Sequence, residues 1–244
     1  MKNTWSIFKR EVKGYFTTPL AYVYIVIFLV LSSFMTFSQY SFFERNVCSL
    51  EAFFQGMPLL MILLIPAVAM RLWAEERETG SIELLFSLPV TPTQAVLGKF
   101  FAAWSVIALS LILTFPMVIT VYNLGDPDVG PIVTGYIGTF LMAGTYLAIG
   151  SFSSMLSKSQ VIAFVMGVMF CFLFYIPGHP SVMNMVSGVL PGGMVNLGEM
   201  VSSESRFDSL RRGVVDFSDV FFFVALAAAW LWANIILLEE RRAA

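Results

Sequence analysis

The sequence predicts an all-α polytopic membrane protein, a single transmembrane domain over residues 1–244, and three observations carry that expectation. Of 244 residues, 58% are hydrophobic and only 12% charged, about half the charged share of a typical soluble domain. The charges leave six uncharged windows, at 14–43, 52–70, 100–125, 129–157, 159–198 and 220–238. Each can hold the roughly 20-residue helix that crosses a bilayer. With both termini on the cytoplasmic side, ten basic residues fall inside and four outside, as the positive-inside rule requires.

The elements follow in chain order. Residues 3–18 read as an amphipathic interfacial helix: Trp5, Phe8, Val12, Tyr15 and Phe16 recur at helical spacing, and Lys2, Lys9, Arg10 and Lys13 take the other positions. A simple positively charged anchor is the competing reading. Pro19 suits the first turn of the next helix, so the chain turns there from lying on the membrane to crossing it. Spans are expected at about 20–38, 57–74, 94–121, 132–156, 160–177 and 219–238. Thr91-Pro92-Thr93-Gln94 is a capping box that opens the third span. Pro58, Pro66 and Pro116 read as packing kinks. Gly144 and Ala148 in the fourth span form a small-xxx-small pair that lets helices approach closely.

The window 159–198 is long enough for two spans, and the seven-span alternative places eleven basic residues inside and three outside. After Pro177 and Pro180, however, the apolar run ends at Pro191-Gly192-Gly193, too short to cross. It reads as a re-entrant or interfacial helix on the outer face.

Several function classes are excluded. A net charge of −2 provides no basic field for nucleic acid. Short loops leave no room for a soluble catalytic domain. His179 is the single histidine, and Cys48 and Cys171 fall in a loop and a span, so neither a metal motif nor a structural disulfide is expected. Asp126 and Asp128 sit among Gly125, Pro127 and Gly130 as turn formers. The first uncharged run is too long for a signal-peptide core, so the first span is expected to be retained.

The most informative stretch is EERETGSIELLFSLP, residues 75–89. Glu75, Glu76, Arg77 and Glu78 carry the second span into water, Thr79-Gly80 permits a break, Ser81 can cap a new short helix, and Pro89 ends it. That helix displays Ile82, Leu84, Leu85, Phe86 and Leu88, more apolar surface than a solvated loop carries. It is either an inert connector lying in the interface or a protein-docking helix. The chain has no GxxxxGK[ST] loop, since Gly98-Lys99 is followed by Phe100.

In Glu76-Arg77-Glu78 with Gly80, Ile82, Glu83, Leu84, Leu85, Ser87 and Pro89, and in Arg206-Phe207-Asp208-Ser209-Leu210 with Arg212-Gly213-Val214-Val215-Asp216, the sequence resembles the permease subunits of type-2 ABC exporters, closest to the gliding-motility and copper-site-maturation branch. The resemblance covers essentially the whole chain. It implies a transmembrane subunit that pairs with a second permease copy or homologous permease and sits on cytoplasmic ABC ATPases, which bind the ATP and Mg²⁺; this chain itself holds no cofactor. It implies a prokaryotic plasma membrane and, in parts of the branch, an auxiliary membrane partner with an outer domain. In that reading residues 81–88 are a cytoplasmic coupling helix and residues 5–16 the connecting helix.

The outer segment before the last span contains two amphipathic pieces, one with Val182, Met185, Val186 and Val189 on one face, the other with Phe207 and Leu210 opposed to Arg206, Arg211 and Arg212. They form either an outer gate or partner dock, ending near Asp216, or a lid packed on their own bundle. Two other functions compete with the ABC reading. An ion-coupled carrier places ionisable groups inside its spans, and the centres of these windows carry none. A non-transporting scaffold of a surface-assembly or motility machine is separated from a transporter by ATPase coupling.

Overall fold

The computed structural model describes residues 2–44, 47–83, 90–186 and 198–243. Its helices are α1 (Lys2–Thr17), α2 (Leu20–Phe34, continued by a π-helical turn Met35–Gln39), α3 (Glu51–Ala69), α4 (Ala74–Glu78), α5 (Pro92–Ile112), α6 (Phe115–Leu124), α7 (Val129–Leu156), α8 (Gln160–Tyr175, tightening into a 3-10 turn Ile176–Gly178), α9 (Pro180–Val186), α10 (Ser203–Arg211) and α11 (Phe217–Ala243). Among the described residues there is no strand. Among the described residues six stretches are long and apolar enough to cross a membrane: Leu20–Gln39, Glu51–Glu78, Pro92–Leu124, Val129–Leu156, Gln160–Gly178 and Phe217–Arg242. The chain is an all-α, multi-pass membrane protein.

The local chemistry explains the boundaries. Gln94 N donates to Thr91 Oγ1 at 3.3 Å and Thr91 N to Gln94 Oε1 at 3.4 Å, so the capping box is formed, with Pro92 where no amide donor is needed. The third span breaks after Ile112. Pro116 cannot donate to the helix and its ring crowds the carbonyl one turn back, and Thr114 fills the gap by bonding to Leu111 O at 2.6 Å and to the Tyr136 hydroxyl at 2.9 Å. The second span begins at Glu51 rather than near residue 57, because Ala52, Phe53 and Phe54 are buried and continue the helix against α7. The last helix runs on to Ala243, with Arg241 and Arg242 in its final turn, where cations suit the helix dipole.

α7 is the axis of the bundle. It packs against α3, α5, α8, α10 and α11, and its small residues set the spacing. A Cβ on Gly135 would lie 2.5 Å from the Phe54 ring, and one on Gly150 2.5 Å from Ala69 Cβ, so the central helix meets α3 nearly backbone to backbone. α8 and α11 stand outside this core and turn apolar side chains outward, including Val161, Met169, Leu173, Phe221 and Trp232, as lipid contact requires. The bundle has two ends. One carries α1, the bend after α3, the start of α5 and the end of α11; the other carries α9 and α10.

α1 meets the bundle more intimately than an interfacial helix resting on lipid. Ile7 is buried on α5, and a Cβ on Gly98 would approach Ile7 Cγ2 to 2.7 Å. The helix is thus divided three ways. Ile7, Glu11 and Tyr15 face the protein, Trp5 and Phe8 lie beside them on the apolar arc, and Lys9, Arg10 and Lys13 lie toward the polar side.

Candidate functional site

At the α1 end, the second span leaves the bundle through a bend. α3 stops at Ala69, residues 70–73 turn, and α4 resumes at Ala74. A bend in apolar surroundings exposes backbone groups that must find partners. Ser154 of α7 supplies them: its Oγ accepts from Trp73 N at 3.1 Å and Ala74 N at 3.0 Å, and donates to Met70 O at 2.7 Å. Those three bonds use the whole capacity of a hydroxyl. One turn earlier, Ser151 Oγ accepts from Trp73 Nε1 at 3.1 Å and from Asn234 Nδ2 of α11 at 2.6 Å. The indole is fully buried. Two serines of the central helix therefore hold the second span and the last span at one level.

The bend is also held by charge. Lys99, whose side chain is 4% exposed, lies in the second turn of α5 and points its ammonium at the bend. Its Nζ is 2.7 Å from Glu76 Oε1, 3.1 Å from Leu72 O, 3.7 Å from Glu11 Oε1 and 5.1 Å from the centre of the Trp73 ring. A buried cation needs such compensation, because the desolvation cost is recovered only where hydrogen bonds and counter-charges converge. The consequence is geometric: Glu76 and Lys99 stand before and after the 77–98 excursion, so its two ends are pinned together and both are tied to α1 through Glu11.

Around this triad, Arg71 makes two bonds to Glu75, at 2.7 and 2.8 Å, and Arg77 Nη1 donates to Met155 O at 2.5 Å. Arg242 at the end of α11 donates to Val90 O at 3.3 Å, where the described chain resumes. A cleft of about 330 Å³ opens between α1 and the bend, lined by Glu11, Tyr15, Arg71, Glu75, Glu76 and Lys99. Among the described residues no three His, Cys, Asp or Glu side chains converge to hold a metal ion.

The residues singled out from the sequence are distributed as follows. Glu76 and Arg77 belong to the clamp. Glu78 closes α4, and Gly80 follows with φ +72, the left-handed conformation that ends a helix without strain in glycine. Ile82 is half-buried against the core and Glu83 exposed. Leu84, Leu85, Phe86, Leu88 and Pro89 lie outside the described residues, and so does the expected capped helix beyond residue 83. In α1, Trp5 and Phe8 stack with centroids 4.9 Å apart and Lys9 Nζ lies 5.4 Å over the Trp5 ring. Arg10 pairs with Glu11 at 2.9 Å, Val12 and Phe16 are half-buried, and Lys13 is exposed. Sequence reading passed over Glu11, Lys99, Ser151, Ser154 and Asn234. The available signal was polar residues placed within or beside otherwise apolar helices.

At the opposite end, α10 is fastened to its own bundle. Phe207 and Leu210 are buried, with Leu210 against Gly138. Thr134 Oγ1 donates to Leu210 O at 2.6 Å, Tyr146 hydrogen-bonds Ser203 Oγ at 2.7 Å, and Arg206 pairs with Asp219 at 2.9 Å. Arg211 and Arg212 both pair with Asp208 on the same helix. Asp216 accepts from Ser218 N at 2.9 Å and so caps α11. The apolar residues Phe207 and Leu210 of α10 are thus covered by the chain's own bundle. In α9, Val182 is half-buried and Met185 exposed; Val189 lies outside the described residues.

Within α10, burial pushes the Glu204 carboxyl up to about 7, with Asp208 adding to the shift and Arg211 opposing it. The unfolded chain ionises near the ordinary carboxylate value of about 4.5, so unfolding between there and pH 7 releases a proton. This helix therefore loses stability as pH rises through that window. Protection factors of the α10 amides in detergent, with the base-catalysed rise of intrinsic exchange divided out, are expected to be lower at pH 8 than at pH 5, and Glu204→Gln is expected to flatten the difference.

A model of the family described as ABC-2 family transporter protein matches residues 43–238. No curated protein matches the chain.

Proposed function

The chain belongs to the ABC-2 family of transporter membrane proteins, and from that membership we propose that it is the permease subunit of an ATP-driven exporter, coupled through residues 81–88 to a separate cytoplasmic ABC ATPase that binds ATP and Mg²⁺. The observation that carries the coupling role is the clamp at the base of that segment. Glu76 and Lys99 join its two ends at 2.7 Å, and Ser154 anchors the bend to the central helix. In this reading a push on the segment bears on the second and third spans and on α1 together.

In this reading the α1 end is cytoplasmic, in a prokaryotic plasma membrane, and ATP binding closes two ATPases against two permease copies, rocking their bundles between two arrangements. Glu83, Leu84, Leu85, Phe86 and Leu88 meet the ATPase, while α1 marks the interface through Trp5 and Phe8. The charged exit and the residues before the last span resemble the gliding-motility and copper-site-maturation branch, which adds an auxiliary membrane subunit with an outer domain as a partner.

The test is Leu85→Asp, which places a charge in the apolar face that an ATPase cleft would cover. Affinity purification from the native membrane is expected to recover a Walker-motif subunit with the unaltered chain and to lose it, together with substrate-stimulated ATPase activity, on substitution. Unchanged co-purification and stimulation would return the segment to the role of connector and favour an ion-coupled carrier or a scaffold.

A further inference from the structure

We propose that the groove between α1, α5 and α7 is a binding site for one acyl chain of an anionic phospholipid, whose headgroup is held by Lys9 and Lys13. The close approach of α1 to α5 at Gly98 brings the two helices together, and beside that crossing their aromatic side chains leave a groove of about 410 Å³. Its walls are mostly apolar, among them Trp5, Phe8, Phe101, Trp104 and Phe140, and the hydroxyl-bearing Thr4 and Ser105 also line it.

The chemistry of the walls selects the occupant. Trp104 stacks on Phe140 with centroids 4.2 Å apart and donates its Nε1 hydrogen to Phe140 O at 3.2 Å. Ser105 Oγ donates to Ala102 O at 2.7 Å. With those donors already used inside the protein, a polar ligand gains little there, and hydrocarbon fills the space at no hydrogen-bonding cost. Trp5 is 56% exposed at the rim and carries the Lys9 ammonium over its ring, an aromatic and cationic pair suited to headgroup level. Among the described residues neither Lys9 nor Lys13 has a carboxylate partner, whereas Arg10 is paired with Glu11. The apolar groove and two unneutralised ammoniums on one interfacial helix together match a lipid with a negative headgroup.

Lipid retention by the isolated chain is read without any ATPase, so its failure leaves the proposed function untouched. The full-length chain, delipidated in detergent, is titrated with phosphatidylglycerol and with phosphatidylcholine of identical chains, and bound lipid is counted by native mass spectrometry. One phosphatidylglycerol should be retained with a preference on the order of tenfold, the scale of one or two interfacial lysines on an anionic surface. Lys9→Gln with Lys13→Gln should bring the preference near unity. Ala108 also lines the groove, so Ala108→Trp should fill it and displace the lipid. As a second readout on the unaltered chain, phosphatidylglycerol with brominated chains should quench tryptophan fluorescence, and the quenched component should be the one that Trp104→Phe removes. Equal retention of both lipids with no quenching of Trp104 would overturn the proposal. So would a disulfide between two copies through Phe101→Cys, which would assign the face to a second chain.

Discussion

Lys99→Met is expected to destabilise the folded chain by about 3 kcal/mol, the lower end of the cost of leaving one partner of a buried ion pair uncompensated, because Glu76 keeps 23% of its side chain exposed. Methionine preserves most of the side-chain length, so the loss is that of charge and of the bonds to Glu76 and Leu72 O. The substitution also leaves a carboxylate already short of partners: Glu76 Oε2 is buried with no hydrogen bond among the described residues. Adding Glu76→Gln should recover much of the loss, since a neutral amide costs far less to bury than an unpaired charge. Thermal unfolding of the single and double variants in detergent measures the cycle, and a double variant no better than the single would show that the pair is not the source of the effect. If the clamp transmits the partner's motion, the single variant should retain its ATPase on purification, because residues 84–89 are untouched, yet lose about tenfold or more of substrate-stimulated hydrolysis, corresponding to about 1.4 kcal/mol of coupling.

Ser154→Ala should cost a comparable amount through different physics. It removes no charge, but it orphans Trp73 N, Ala74 N and Met70 O at once. Each buried backbone group left unpaired costs about 1–3 kcal/mol, and partial relaxation of the bend should keep the total near 3 kcal/mol. Amide exchange of residues 70–78 reads the effect directly. Protection should fall there while the middle of α7 stays protected. Ser154→Thr keeps the hydroxyl and should restore protection if its extra methyl is accommodated; unchanged protection of residues 70–78 in Ser154→Ala would show that the hydroxyl does not hold the bend.

Several local features were legible because each is written within a few neighbouring residues. Thr91, Pro92 and Gln94 specify a capped start, Thr79-Gly80 a break that the structure makes at φ +72, and Pro116 the vicinity of the interruption in the third span. The apolar windows correspond to the six long helices. Boundaries were less legible. The second span starts at Glu51 because Ala52, Phe53 and Phe54 have a partner surface on α7, which no local pattern announces. Phe207 and Leu210 looked equally suited to a dock or a lid, and only the position of Gly138 and Thr134 opposite them placed them inside.

The sequence by itself determined that this chain carries apolar stretches long enough to cross a membrane, an amphipathic helix at its start, and a charged excursion between its second and third spans, because hydropathy and helix punctuation act over one or two turns. Tertiary structure decided what that excursion is fastened to. Lys99 reaches Glu76 across 23 positions, and Ser154 closes a bend 80 to 84 residues away. The cost of burying a charge or an open bend depends on which groups the packed helices bring within 3 Å, and only the folded bundle supplies that proximity.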